Sequence, residues 1–352
     1  MKLQSMIQTA PSWLGGADDA DGIVVSCRAR LARNLSGCRF APRAKAPDQE
    51  LVVAEVLEAA KQSRHLATAS FYSMDMLDAN DRRVLVERHL ISPALAEREG
   101  RCGVLFNRDE SLSVMINEED HLRLQAMCPG TRAESAWTKV SALDDDLNGV
   151  LDCAFDEALG YLTACPTNTG TGLRMSVLIH LPGLVLTEDM ERVLQGLNQL
   201  SFAVRGVYGE GTNAAGNLFQ VSNQVTLGRS EEQLVEDLTG IIRQLVEYER
   251  EAQENLLAEA RAQVEDKVWR ALGLLSQARV LSSQEFMNLL SAVRLGVSLR
   301  FVERIPTSFL NHLMIITQPS HLQARAGAHL EPHERDIQRA DLVRRQLAEV
   351  VA

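Results

Sequence analysis

A run of charged residues follows an apolar, alternating stretch near the middle of the chain. Residues 117–123 read Asn-Glu-Glu-Asp-His-Leu-Arg, and residues 112–116 before them have the alternation of a strand. On an extended chain Glu118 and Glu119 point to opposite sides, so at most one of them can enter a given pocket. In a helical turn Arg123 would share a face with Glu119, four residues earlier. The stretch predicts either a simple ion pair or one half of a charged site.

Two arginines in an earlier strand-like stretch suit an anionic ligand. Arg28 and Arg30 follow the apolar run Ile23-Val-Val and lie two residues apart, on one face of an extended chain. Like charges side by side repel unless water surrounds them or a polyanion lies across them. Each guanidinium also presents a fork of donors that matches phosphate oxygens. Arg33 has an odd offset from the pair and is not placed with it.

Two loops rich in small residues carry further candidates. Residues 165–174 read Cys-Pro-Thr-Asn-Thr-Gly-Thr-Gly-Leu-Arg, a polar loop of the kind that offers backbone N–H groups to an anion. Residues 204–216 deliver Arg205 from a strand and Glu210 from a glycine-rich loop. Each stretch therefore places an arginine beside a polar loop, tight in the first case and flexible in the second.

The composition limits the classes to which the protein can belong. The chain has 352 residues, 45% of them hydrophobic, a formal net charge of −11, and no apolar run near the roughly 20 residues that span a bilayer. We therefore expect a soluble protein that binds neither nucleic acid nor membrane. Six scattered Cys without a Cys-x-x-Cys pair, and a start unlike a signal peptide, favour the cytoplasm and argue against a bound zinc.

The basic residues are nearly all arginine. Five of the 36 are Lys and none follows a Gly, so the Gly-Lys-Ser/Thr of a P-loop is absent. The sequence also lacks the His-Arg-Asp and Asp-Phe-Gly motifs of ordinary protein kinases. Codon usage alone would explain the imbalance, but it has a chemical consequence. If this protein handles phosphates, it does so with arginine.

The pattern of apolar residues predicts three regions. Residues 1–21 end in a Gly- and Asp-rich stretch and are expected to form an arm. Residues 22–254 mix strand and helix patterns and are expected to form one domain. Residues 255–352 are helical in pattern throughout and are expected to form a second, all-helical domain.

Within these regions, a few local patterns bear on function. A capping box at residues 230–233 predicts the start of a long helix. A helix is expected over residues 137–159, with Asp144 and the two Asp that follow it on a solvated face. His89 falls at the end of another predicted helix, where a capping or core role is the simplest interpretation.

Taken together, these stretches resemble the guanidino (phosphagen) kinase family, which includes the creatine and arginine kinases, and most closely its bacterial branch of protein-arginine kinases. The resemblance covers nearly the whole chain. It rests on four motifs in the family's order and approximate spacing: Ser-x-Arg-x-Arg at 26–30, Asn-Glu-Glu-Asp-His-Leu-Arg at 117–123, Cys-Pro-Thr-Asn-x-Gly-Thr at 165–171 with Arg174, and Arg-Gly-x-x-Gly-Glu at 205–210. It implies an α+β fold, an antiparallel sheet flanked by helices, followed by the helical C-terminal domain.

The resemblance also implies roles for individual residues. The arginines that match those holding the nucleotide phosphates are Arg28, Arg30, Arg123, Arg174 and Arg205. His89 matches a histidine that lies against the base. Glu119 and Glu210 match the carboxylates that grip the acceptor guanidinium, Glu119 being favoured as the general base, and Cys165 matches the cysteine beside that group. The wider nucleotide-binding set that the resemblance implies is Ser26, Cys27, Ala29, Met175, Ser176, Val177, Leu178, Gly206, Val207, Tyr208 and Gly209.

Three functions from different classes fit the motifs. The favoured one is a kinase that uses ATP and Mg²⁺ to phosphorylate arginine in proteins, as a mark in protein quality control and stress response. The others are a kinase for a free guanidino metabolite and a catalytically silent adaptor that binds phosphoarginine. The small-molecule branch carries a helical domain before Ser-x-Arg-x-Arg, whereas 25 residues precede Ser26 here. An open site of this kind favours an arginine that belongs to a protein.

The C-terminal region adds a motif and a set of expected partners. Residues 335–340 read Arg-Asp-Ile-Gln-Arg-Ala, and the spacing lets Asp336 and Arg339 share a helical face. This predicts either a solvated helix surface or, by resemblance, a phosphoarginine site made by Arg335, Asp336 and Arg339. The resemblance further implies a homodimer, protein substrates with exposed arginine, a zinc-binding activator protein and a Clp-type protease system.

Overall fold

An eight-stranded antiparallel sheet forms the centre of the molecule. The structure, a computed structural model, describes residues 6–15, 22–206 and 214–351. The strands of the sheet are β1 (Val24–Arg33), β2 (Ser70–Ser73), β3 (Gly103–Phe106), β4 (Leu112–Ile116), β5 (Leu122–Pro129), β8 (Leu173–His180), β9 (Phe202–Gly206) and β10 (Leu218–Asn223). Their spatial order is β2-β3-β4-β5-β1-β8-β10-β9, and every neighbouring pair is antiparallel. The short strands β6 (Phe155–Asp156) and β7 (Gly160–Tyr161) pair with each other.

Helices cover both faces of this sheet and continue to the C-terminus. Their bounds are α1 (Ala46–Gln62), α2 (Ala79–Glu87), α3 (Pro93–Glu97), α4 (Ala133–Asn148), α5 (Pro182–Leu186), α6 (Met190–Gln199), α7 (Glu231–Gln277), α8 (Ser283–Ser298), α9 (Thr307–Ile316), α10 (Pro319–Ala326) and α11 (Pro332–Val351). The predicted α+β fold, with an antiparallel sheet, flanking helices and a helical C-terminal region, is confirmed. None of the helices in the described ranges combines the length and apolar character that crossing a bilayer requires.

The alternation of side chains along β1 separates a core face of the sheet from a charged face. Cys27, Ala29 and Leu31 are buried in the main core, which α1, α4 and the first half of α7 complete. Arg28 and Arg30, at the alternate positions, project from the opposite face. Strands β5 and β8 flank β1 on either side. The centre of the charged face is therefore built from these three strands.

The C-terminal helices pack against the charged face, but at one end of it. Met127 from β5, Leu178 from β8 and Leu218 from β10 join a second core with the end of α7 and with α8, α9 and α11. These three apolar residues lie on the same face as the arginines, further along the strands. The C-terminal helices thus form a wall beside the arginines and leave them partly exposed.

Helix α7 runs across the predicted boundary between the two domains, with one kink. It begins at the predicted capping box, in which the Ser230 side chain accepts from Gln233 N and the Gln233 side chain accepts from Ser230 N. It runs past residue 254, where the boundary was predicted, and kinks at Ala260, whose φ and ψ are −141° and 34°. The domain boundary itself stays a prediction.

The start of the chain packs into the fold where an arm was predicted. Trp13 and Leu14 are buried in the second core. From α9, Asn311 Nδ2 donates to the carbonyl of Leu14 at 3.3 Å, and from α8 the Arg294 guanidinium donates to the carbonyl of Gly22 at 2.7 and 3.0 Å. Trp13 and Leu14 are therefore held in part by the C-terminal helices; residues 1–5 and 16–21 lie outside the described ranges.

The Asp run at residues 144–146 contains one buried member, against the expectation of a solvated face. Asp144 in α4 forms a bidentate ion pair with Arg33 at 2.7 and 3.1 Å, and both side chains are at least nine-tenths buried. Arg33 also stacks on Tyr161, 3.4 Å from the ring centroid. Helix α4 ends at Asn148 and not near residue 159, because the following backbone pairs with residues 34–36. This pair explains why Arg33 does not belong with Arg28 and Arg30.

Candidate active site

Four arginines from three adjacent strands meet on the charged face. Arg28 and Arg30 come from β1, Arg123 from β5 and Arg174 from β8. In the register of the sheet Arg30 lies directly opposite Arg174, and Ala32 lies opposite Arg123. Because residues opposite each other in an antiparallel pair point to the same side, the four guanidinium groups cluster over the centre of the sheet.

The arginines in this cluster are held mainly by neutral groups, so the positive charge persists. Arg28 donates to Ser176 Oγ (3.4 Å) and Gln220 Oε1 (3.1 Å), and Arg174 donates to Ser222 Oγ (3.1 Å). Burial lowers the pKa of Arg28 to about 10, with Arg123 and Arg174 lowering it further. The pKa of Arg30 falls well below its ordinary value for the same reasons, and Arg28 contributes as well.

Two donors of the cluster are buried without a partner among the described residues. They are Nε of Arg30 and Nε of Arg174. An unpaired buried donor costs about 1–3 kcal/mol, and more when it is charged. Repelling cations with unmet donors are unfavourable in the free protein and favourable only when an anion binds. The cluster can therefore hold a polyanion, and its spread over three strands suits a chain of phosphates.

A shallow cleft adjoins Arg28 at the end of the cluster. The residues that line it are Trp13, Ser26, Arg28, His89, Met127, Ser176, Leu178 and Gln220. His89 has a left-handed φ of 58°, and Gln125 Nε2 donates to its carbonyl at 2.7 Å. Burial, and then Arg28, lowers the pKa of His89 to about 3. The imidazole is neutral at physiological pH, so it can lie against an uncharged aromatic ring beside the cations.

On the other side of the cluster, Glu119 occupies a turn between β4 and β5. The turn is closed by the backbone bond from Asn117 N to His121 O, and Asn117 has a left-handed φ of 58°. Glu119 is exposed, and its Oε2 accepts from Asn168 Nδ2 at 3.3 Å. Arg123 pairs with Glu118 (2.8 Å) and not with Glu119, because a tight turn and a strand replace the helical turn in which Glu119 and Arg123 would have met.

A buried carboxylate fastens this turn to the Cys165 loop. Asp120 is 2% exposed and accepts from the Ala164 amide and from Asn34 Nδ2, both at 2.6 Å. Cys165 is partly exposed, with its Sγ 3.0 Å from Thr167 Oγ1. Glu119 and Cys165 both oppose the lowering of the pKa of Arg174, so they lie within electrostatic range of the cluster. The site can therefore hold a polyphosphate on arginines and a cationic acceptor beside Glu119.

Two family descriptions match adjoining parts of the chain. The one described as "ATP:guanido phosphotransferase, C-terminal catalytic domain" matches residues 51–252, more than half of the sequence. The chain belongs to the ATP:guanido phosphotransferase family. The description "Protein-arginine kinase McsB C-terminal domain" matches residues 261–352. The family resemblance predicted from the four motifs is confirmed.

Individual relatives place the chain within this phosphotransferase family. A protein-arginine kinase of Halalkalibacterium halodurans is 48% identical over 355 residues, covering 99% of this chain and 98% of its own length. The protein-arginine kinase of Moorella thermoacetica is 47% identical over 339 residues, covering 96% of this chain and 97% of its own. Among solved structures, lombricine kinase is similar with a TM-score of 0.58 and 25% identity, over 69% of this chain and 71% of that one. The chain therefore groups with the protein-arginine kinases.

Several residues that were predicted to bind the nucleotide do not lie in the arginine cluster. Cys27, Ala29, Met175 and Val177 are in the main core, so their side chains face away from the arginines. Arg205, at the end of β9, is exposed and lowers the pKa of Arg174. Glu210 and the predicted residues Val207, Tyr208 and Gly209 lie outside the described residues, so their predicted roles stay predictions.

The phosphoarginine motif near the start of α11 is divided between a buried and an accessible part. Arg339 pairs with Asp336 at 2.6 Å, as the spacing predicts, but it is 1% exposed. Its Nε donates to Thr317 O (3.0 Å) and its Nη1 to Leu281 O (2.7 Å), which joins α11 to the chain beside α8 and α9. Arg335 and Asp336 are partly exposed. These contacts give Arg339 a structural function whether or not it meets a phosphate.

The structure brings residues to the site that the sequence analysis did not select. They are Trp13, Asp120, Gln125, Asn168, Gln220 and Ser222. The two on β10 carried a signal, since Gln220 and Ser222 are polar positions that alternate with the apolar Phe219 and Val221. Trp13 carried none, because its neighbours in the sequence have a loop composition.

Proposed function

We propose that this protein transfers the γ-phosphoryl group of ATP to the guanidinium groups of arginine residues in proteins. The observation that carries the proposal is the arginine cluster, with its buried unpaired donors, directly beside the exposed carboxylate of Glu119. Phosphoryl transfer asks a protein chiefly to position two substrates and to neutralise charge. Four described arginines, with Arg205 at the edge, supply that charge. The similarity to named protein-arginine kinases supports the choice of acceptor.

The nucleotide has a defined direction on the sheet. Its terminal phosphate belongs near Arg174, on which the charge of Glu119 acts, and near Arg30, which lies opposite Arg174 in the sheet. Its base belongs in the cleft with Ser26 and His89. Mg²⁺ is expected to bind through phosphate oxygens and water, its preferred ligands, and to neutralise the transferred group. Within the described ranges no group of three or more His, Cys, Asp or Glu is arranged to hold a metal ion.

The acceptor guanidinium needs help to act as a nucleophile. With a pKa above about 12 it is charged, and its lone pair is delocalised. Glu119 orients it by charge-assisted hydrogen bonds and takes a proton as the new N–P bond forms and the bond from the γ-phosphorus to the β–γ bridging oxygen of ATP breaks. The proposed products are ADP, phosphoarginine and a proton. We assign Cys165 a contact with the same guanidinium and Glu210 the role of second carboxylate.

The proposal is tested by identifying the product. Incubation of the purified protein with Mg-ATP and an arginine-rich protein should yield an acid-labile modification, which mass spectrometry at neutral pH locates on arginine. A phosphoester on Ser, Thr or Tyr as the main product would refute the assignment. Rapid phosphorylation of free arginine or creatine, with the protein left unmodified, would support the alternative of a metabolite kinase. A silent adaptor would bind phosphoarginine and transfer nothing.

We further propose that the accessible part of the α11 motif binds phosphoarginine. Arg335 would bind the phosphate and Asp336 the guanidinium, so that one site meets both charges of the modified side chain. Arg335→Ala should weaken binding of a phosphoarginine peptide to the full-length protein at least about tenfold, since a charge-assisted hydrogen bond contributes about 1.5–3 kcal/mol. Isothermal titration calorimetry measures this change.

Arg345→Ala is the matched control, because Arg345 is exposed on the same helix and lies outside the motif. It should leave peptide affinity unchanged. Equal affinity of the Arg335→Ala variant and the unmodified protein would show that the motif is a solvated helix surface that does not bind phosphoarginine. Arg339→Ala is a poor probe, since it would leave two buried carbonyls unpaired and lower the melting temperature.

The wider setting of the activity is part of the proposal. We propose a cytoplasmic enzyme that acts as a homodimer, marks proteins for quality control under stress, and works with a zinc-binding activator and a Clp-type protease system. Binding of phosphoarginine near α11 would couple its activity to prior phosphorylation. These elements rest on the family resemblance.

A further inference from the structure

Trp13 forms a wall of the cleft that adjoins the arginine cluster. The indole ring is fully buried and meets the His89 ring edge-on, with the centroids 5.4 Å apart and the planes at 73°. Its apolar surroundings include Met127 and Leu178, which also line the cleft. The cleft thus has two aromatic rings and an apolar floor beside the cation Arg28.

The indole Nε1–H is buried and finds no hydrogen-bond partner among the described residues. The Trp side chain normally meets a partner when it is buried, because an unsatisfied donor destabilises the protein. An acceptor supplied by a ligand would satisfy this donor. The feature therefore resembles the unpaired Nε atoms of Arg30 and Arg174, at the opposite end of the same surface.

The spacing of residues along β1 gives the distance between the arginine cluster and the cleft. Arg30, Arg28 and Ser26 occupy successive positions on one face, so the face runs roughly 13 Å from Arg30 to Ser26 at about 3.3 Å per residue. A nucleotide whose terminal phosphate lies at Arg30 and Arg174, beside Glu119, would have its other phosphates near Arg28 and its sugar and base in the cleft. The end of that path is the space between His89, Gln220 and Trp13.

We infer that Trp13 is a base-contacting residue of the nucleotide site and that its Nε1–H donates to an acceptor nitrogen of the purine. This inference rests on the proposed use of ATP and adds a specificity-determining residue to it. The C-terminal helices hold the contact in place, since Asn311 of α9 binds the carbonyl of Leu14 next to it. The base site is therefore composite, with one wall from the N-terminal segment that the C-terminal domain positions.

The test compares a ligand that has a base with one that has only phosphates. Trp13→Phe keeps an aromatic ring and removes the N–H group. It should raise the Kd for ADP about three- to tenfold, the effect of one lost hydrogen bond. Affinity for inorganic tripolyphosphate, which has no base, should change by less than about twofold. Trp269→Phe is the matched control, because Trp269 is half exposed on α7 and lies outside the cleft; it should alter neither affinity.

Each outcome is decisive. Equal loss of affinity for ADP and tripolyphosphate would show that Trp13 is merely structural, and no loss for either would show that it does not touch the base. If the variant does not fold, a Trp137→Phe, Trp269→Phe protein leaves Trp13 as the single tryptophan, which can be excited selectively at long wavelength. Its emission should respond to ADP and not to tripolyphosphate, and equal responses overturn the inference. Failure of the unmodified protein to bind ADP would refute the proposed function itself.

Discussion

Replacing Glu119 by Gln should lower kcat for protein-arginine phosphorylation by about 10²–10⁴-fold, the range that a positioned general base contributes. The Gln side chain can still accept the hydrogen bond from Asn168 Nδ2, so the turn keeps its shape. It cannot take a proton or balance the charge of the acceptor guanidinium. Affinity for ADP should stay unchanged or rise, because a negative charge near Arg174 has been removed. Steady-state kinetics and calorimetry measure the two quantities.

The adjacent residue gives a contrasting control. Glu118 is buried and accepts from Ser92 Oγ at 2.6 Å and from Arg123 Nη1 at 2.8 Å. Glu118→Gln should loosen Arg123 and raise the KM for ATP, with a smaller effect on kcat at saturating nucleotide. If Glu119→Gln retained near-normal turnover, Glu119 would not be the general base, and Glu210 would be the remaining candidate.

Arg30→Lys should lower kcat/KM for ATP by about 10²–10⁴-fold, since Lys cannot present a planar fork of donors to the phosphates. Arg30→Met should abolish nucleotide binding and, in the absence of nucleotide, raise the melting temperature. The reason is that Arg28, Arg123 and Arg174 all act on Arg30 as like charges. A residue selected for binding can destabilise the free protein. Added ADP should then stabilise the unmodified protein but not the Met variant.

Arg33→Met makes the same substitution on the same strand, but it should lower the melting temperature where Arg30→Met should raise it. Arg33 is buried in a bidentate pair with Asp144, so its loss leaves an uncompensated carboxylate and should lower the melting temperature. Differential scanning calorimetry of the two variants, with and without ADP, shows whether each substitution raises or lowers the melting temperature. A lower melting temperature for Arg30→Met would mean that the arginine cluster stabilises the fold. The main evidence that the cluster binds a polyanion would then be lost.

The sequence by itself determined which residues share a face. A period of two places Arg28 and Arg30 together and excludes Arg33, and a spacing of three predicts the pair between Asp336 and Arg339. Four motifs in order were enough for the family, and the family description and relatives confirm it. These conclusions depend on local geometry, which is the same wherever a strand or a helix lies in a protein.

The tertiary structure decided what each face meets. Asp144 lies in a run of three acidic residues typical of a solvated surface, and its burial follows from Arg33, 111 residues earlier in the chain. Glu118 and not Glu119 pairs with Arg123, because the chain between β4 and β5 turns too tightly to form a helix. Trp13 reaches the cleft beside Arg28, and the carbonyl of its neighbour Leu14 is bound by Asn311, 297 residues further along the chain. Contacts at such separations come from how the sheet and the C-terminal helices pack together, and no local period records them.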